Sequence, residues 1–205
     1  DIMRQKKQAG YICSIDATQC YDRILHNVAI MCMLRLGAGM SALLSLFGQL
    51  QQGIHKTMTG YGISKTTHGA KNRNAAGLLP YQGVLQGKGM GPVIWLAISV
   101  LLITIMDAQG HTSIFTAAIS MAILRMCCFM FVDDCDLINT ATDVQTSAVS
   151  MLPKFQLSLD CWEGCLRATG GGLKPSKSFW YLIDWKWNGT SWSYQNKEDS
   201  PGEIS

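Results

Sequence analysis

Two adjacent aspartates, Asp133 and Asp134, close the apolar run Met126-Cys127-Cys128-Phe129-Met130-Phe131-Val132. Like charges side by side repel each other and are costly to strip of water, so a pair at the end of a buried run asks for a cation. Mg²⁺ binds through oxygen ligands and suits such a pair. Asp-Asp in a turn is as readily solvated, so a metal site needs a third carboxylate from elsewhere. Asp16, in Ser14-Ile15-Asp16-Ala17, ends a second apolar run and is the candidate. Asp16, Asp133 and Asp134 around two ions about 3.5–4 Å apart have the makings of a phosphoryl-transfer site, where one oxygen attacks and another leaves. A third stretch, Gln86-Gly87-Lys88-Gly89-Met90-Gly91-Pro92, is glycine-rich and runs into an apolar helix. Backbone N–H groups at such a helix start suit a phosphate. The Gly-Lys pair lacks the following Ser or Thr and the glycine spacing of a Walker loop.

The elements that must position these groups follow from the pattern of apolar residues. Residues 11–15 read as a strand with Asp16 at its end, and 126–132 with 135–138 as a hairpin with the aspartate pair at its turn. Asp136 is expected to face away from Asp134 in that hairpin. Apolar positions from Ile24 to Leu34 recur at helical spacing, with Gly37 as the stop, and 41–50 read as a second helix. Residues 60–82 read as a long connection and 93–106 as a buried helix, too short to span a bilayer. Thr142 or Asp143 is a candidate cap for a helix bent or interrupted at Pro153 and ending near Gly170. A strand over 179–187 and Asn188-Gly189 read as a final hairpin. That order implies an α+β fold with an antiparallel sheet flanked by helices.

Composition narrows the class. With 48% hydrophobic and 15% charged residues among 205, the chain has a core to bury, apart from a polar tail over 195–205. The net charge of +3 is unevenly spread: no acidic residue lies between Asp22 and Asp107, while seven lysines and arginines do. A one-sign stretch of this kind attracts polyanions, nucleic acid first among them. The eight cysteines fit neither zinc-finger spacing nor a disulfide framework. Reduced thiols in an intracellular compartment, cytoplasm or nucleus, are the reading they support.

Taken together and in order, the segments resemble the palm domain of reverse transcriptases. Asp16 with Tyr21 five residues on, continuing Tyr21-Asp22-Arg23-Ile24-Leu25-His26, resembles motif A of retroelement enzymes. Gln86 to Pro92 is similar to motif B, Phe131-Val132-Asp133-Asp134 to motif C, and Gly170-Gly171-Gly172-Leu173-Lys174-Pro175-Ser176-Lys177 to motif D. The resemblance implies an RNA-directed DNA polymerase with a palm over 1–194, fingers and thumb largely missing. Asp16, Asp133 and Asp134, with the Ala17 carbonyl, would hold two Mg²⁺ ions, for which Mn²⁺ could substitute. Tyr21 would lie under the sugar of an incoming deoxynucleotide, Gln86 and Gly87 would line its pocket, and Lys177 would approach its triphosphate. RNA template, DNA or RNA primer and deoxynucleoside triphosphates would be the partners, with no membrane. The alternative is a catalytically inactive remnant that keeps the palm fold and weak nucleic-acid binding.

Overall fold

A computed structural model of the chain describes residues 2–18, 20–69, 83–84, 89–117, 119–132, 134–195 and 204. The helices are α1 (Ile2–Lys6), α2 (Cys20–Arg23), α3 (His26–Arg35), α4 (Met40–Gln52), α5 (Gly91–Ala108) and α6 (Ala148–Ala168). The strands are β1 (Gly10–Asp16), β2 (Ile54–Thr59), β3 (Gly62–Gly69), β4 (Ser113–Thr116), β5 (Ile123–Met126), β6 (Cys128–Phe131), β7 (Asp134–Thr140), β8 (Phe179–Trp187) and β9 (Trp192–Gln195). They fall into two compact units, one of residues 1–20 and 99–205, the other of residues 21–98.

In the first unit a five-stranded sheet runs in the order β6-β7-β1-β8-β9, and every pairing in it is antiparallel. Strand β1 is central because it alternates: Tyr11, Cys13 and Ile15 are buried, whereas Ile12, Ser14 and Asp16 on the other face are partly open. Cys135 and Leu137 of β7 and Leu182 of β8 complete the buried face. Helix α6 covers it with Met151, Phe155, Leu159, Trp162 and Leu166, which recur at three- and four-residue spacing. The Tyr11 ring stacks on Phe155 at 5.0 Å, and its hydroxyl donates to the Ala148 carbonyl at 2.8 Å.

This buried phenol sets an alkaline limit. Desolvation, aided by the Asp184 charge, pushes the Tyr11 hydroxyl up from 10.0 to about 12. The fold favours the neutral phenol, so its contribution is complete below pH 10 and is lost as pH rises towards 12. Urea denaturation should lose stability on the order of 2–3 kcal/mol across that interval, and Tyr11→Phe should remove that part of the slope.

Several elements depart from expectation for identifiable reasons. Helix α6 is continuous through Pro153, which lies beyond the first turn and leaves the Val149 carbonyl without its i+4 N–H donor. Its cap is Ser147, which accepts from the Ser150 N–H, and Asp143 instead accepts from the N–H groups of Gln145 and Thr146. The strand expected over 126–132 is interrupted at Cys127: β5 pairs with β4, and β6 with β7. Helix α5 has 18 residues and a mean hydropathy of 2.0, long and apolar enough to cross a membrane by length and composition, with 44% of it buried. Among the described residues the cysteines are free thiols, and Cys13, Cys32, Cys127 and Cys135 are buried. The hydrogen bond to the Cys128 sulfur and burial push the Cys127 thiol far above its ordinary range.

In the second unit, α3 and α4 bury His26, Ala29, Cys32, Leu43 and Phe47. After them β2 and β3 form a two-stranded antiparallel hairpin. Residues up to Gly69 therefore have regular structure where a long connection was expected from residue 60, and residues 70–82 lie outside the described set.

Candidate active site

The C-terminal end of β1 lies against the N-terminal end of β7, and their register sets Asp16 directly opposite Asp134. Directly opposed residues in an antiparallel pair share a face, so both carboxylates lie on the face of the sheet away from α6. Asp136 shares that face, opposite Ser14, because residues two apart in a strand point the same way. The expectation that it faces away from Asp134 is thus corrected. Phe131 and Asp134 pair across β6 and β7, and Val132 stands in the turn that follows Phe131. Tight turns of this kind need a left-handed backbone, and Val132 has φ 58°. For a β-branched residue that is a strained conformation, with a cost of order 1–3 kcal/mol. Asp133 itself lies outside the described residues.

Lys177 is brought to the same strand end. Its Nζ lies 3.6 Å from Asp16 Oδ2, with the lysine side chain 62% and the aspartate 28% exposed. The approach is built by the glycine-rich segment before it. The Thr18 N–H donates to Gly172 O, Lys174 N–H donates to Asp16 O, and the Asp16 N–H donates to Ser178 Oγ. The first two of these bonds form an isolated antiparallel bridge between Ala17 and Leu173. It uses the carbonyl of Asp16 and the amide of Thr18, so strand alternation turns the Ala17 carbonyl to the opposite edge, the side of β7. A short helical turn, Pro175–Lys177, then delivers the lysine.

Two opposed carboxylates on one sheet face repel, and Lys177 offsets only part of that charge. Asp16, Asp134 and the Ala17 carbonyl offer oxygen donors, the chemistry that a hard divalent cation takes. Among the described residues no group of three or more His, Cys, Asp or Glu side chains is arranged to hold a metal ion.

The nucleotide-side candidates belong to the second unit. Tyr21 is in α2 and only 8% exposed, so its ring is largely a packing group. The chain leading into Gln86 is tied to this helix: Val84 N–H donates to Tyr21 O and Gly83 N–H to Ile24 O. Gly83 has φ 86°, and a Cβ there would lie 2.8 Å from the Asp22 carbonyl oxygen, so only glycine fits. Buried His26 holds the same segment, with Nε2 at 2.7 Å from Gly83 O. A carbonyl can only accept, which puts the proton on Nε2 and leaves Nδ1 to accept from the Gln51 amide at 3.3 Å. His26 is therefore a positioning residue, and its spacing from Tyr21 was the signal for it in the sequence. Gln86 and Gly87 lie outside the described residues.

No protein-family model matches the chain, and no curated protein matches it. Among solved structures it is similar to a chain in the structure of telomerase from Candida tropicalis in complex with a TWJ fragment of telomeric RNA, at 11% identity and a TM-score of 0.47. The match covers 87% of this chain and 26% of that one, so this chain spans about a quarter of its length. A likeness of that degree carries no argument about fold or function.

Proposed function

We propose that this chain is the palm of an RNA-directed DNA polymerase. The supporting observation is the register that opposes Asp16 and Asp134 across β1 and β7, with Lys177 Nζ 3.6 Å from Asp16 Oδ2. Asp16, Asp133, Asp134 and the Ala17 carbonyl would hold Mg²⁺, which when bound lowers the cost of forming the attacking oxygen and of releasing the leaving one. The reaction is attack of a primer 3′-oxygen on the α-phosphate of a deoxynucleotide, breaking the bond from that phosphorus to the bridging oxygen and releasing pyrophosphate. Lys177 is exposed enough to leave Asp16 for a triphosphate and to donate a proton to the departing pyrophosphate. His26 holds Gly83, three residues before Gln86, and Gln86 and Gly87 would line the nucleotide pocket.

The test is extension of a primed RNA template, by this chain or by a longer protein that contains it. Asp133→Asn should abolish Mg²⁺-dependent extension, and unchanged extension would sink the assignment. Mn²⁺ binding followed by electron paramagnetic resonance gives a readout independent of turnover. Nucleic-acid binding without specific Mn²⁺ binding would leave the non-catalytic reading.

A further inference from the structure

The hairpin of β2 and β3 has no evident role in the site above, and its construction is unusual for a merely structural element. Among the described residues the two strands pair only with each other. Two strands alone bury too little to be stable by packing, yet this pair exposes Met58, Ile63 and, at the tip, the whole of Tyr61. Lys56 pairs with Thr67 and Met58 with Ile63, so three residues of β3, Ser64 to Thr66, stand opposite Thr57 alone. Lys65 is the middle residue of that bulge, and bulges re-aim side chains. The Ser64 hydroxyl braces it, donating to Thr66 O at 3.1 Å and accepting from Thr66 N–H at 2.9 Å. Lys56 and Lys65 are both exposed, and among the described residues no carboxylate lies within ion-pair distance of either.

Charge supplies the partner. Residues 21–98 hold seven lysines and arginines against Asp22 alone, a net +6, while the rest of the chain, with ten basic and thirteen acidic residues, is net −3. We infer that the β2–β3 hairpin is a binding finger for single-stranded nucleic acid, with Lys56 and Lys65 on phosphates and the Tyr61 ring stacked on an unpaired base. Phosphate contacts release counterions and so give a salt-dependent affinity, whereas base stacking on an aromatic ring is salt-insensitive. A single strand is preferred to a duplex because the base faces are then available to Tyr61. The inference is independent of the carboxylate site and stands if that reading fails.

The experiment is fluorescence anisotropy of the full chain with a labelled 20-nucleotide single-stranded RNA and with the matching blunt duplex, in EDTA, at a series of salt concentrations. The double variant Lys56→Glu, Lys65→Glu should weaken single-strand binding by about tenfold or more. It should also reduce the slope of log affinity against log salt by about 1.4, the value for two phosphate contacts on a single strand. Tyr61→Ala should weaken binding by roughly tenfold at an unchanged slope. Measuring in EDTA keeps divalent ions from the carboxylates, which separates this surface from the metal site. The hairpin is exposed, so circular dichroism should be unaltered, and Lys56→Gln with Lys65→Gln should give an intermediate loss. The inference is overturned if the Glu variant binds within twofold of the unmodified chain or if the duplex binds as tightly with no effect of Tyr61→Ala. It is equally overturned if the hairpin variants alter only binding to phosphatidylserine vesicles.

Discussion

Asp16→Asn is expected to lower Mg²⁺-dependent primer extension by about a thousandfold, the scale on which losing one preorganised charged group costs catalysis. The same substitution should leave the melting temperature unchanged or raise it. The register of β1 is held by backbone pairing to β7 and β8, with no call on the Asp16 carboxylate. That carboxylate instead faces Asp134 across the ladder, and like charges so placed are destabilising. Its ion pair with Lys177 is at 3.6 Å with the lysine well exposed, a pairing of little worth to the fold. Activity and stability should therefore move apart. A drop in both by comparable amounts would mark Asp16 as structural, and intact extension would falsify its assignment as a ligand.

The second large effect concerns the support beneath the site. Phe155 is fully buried and stacks on Tyr11, the residue of β1 five positions before Asp16. Phe155→Ala should cost about 3–5 kcal/mol in urea denaturation, the sum of lost transfer energy and the cavity left behind. Against a total stability of about 5–15 kcal/mol this brings the first unit close to unfolding. Phe155→Leu, which keeps most of the volume, should cost about 1.5 kcal/mol or less. A small loss in the alanine variant would mean that α6 and the sheet repack around the gap.

The sequence made β1, β7 and β8 legible because each alternates or runs apolar and then ends on a charged or turn-forming residue. The β2–β3 hairpin escaped notice because both its faces are exposed: Lys, Thr and Ser fill it, and no apolar periodicity marks a strand without a core. Asp136 stands two residues after Asp134 in β7, so the period-2 alternation of a strand sets both on one face, against the expectation that they face apart. Lys177 stands in a segment without periodicity to place it, yet the bridge between Ala17 and Leu173 carries that segment to Asp16. Tyr21 shows the reverse: its spacing from Asp16 was clear in the sequence, while its burial depends on contacts that spacing does not encode.

The buried thiols give the protein an internal clock. Cys13, Cys127 and Cys135 are shielded in the first unit and Cys32 in the second, and burial holds the Cys32 thiol protonated as neighbour and burial together do for Cys127. A thiol reagent attacks the thiolate, so these sulfurs react only when the surrounding structure opens. Mass spectrometry of alkylation over time would then resolve, cysteine by cysteine, how often each unit opens, with no label or probe introduced.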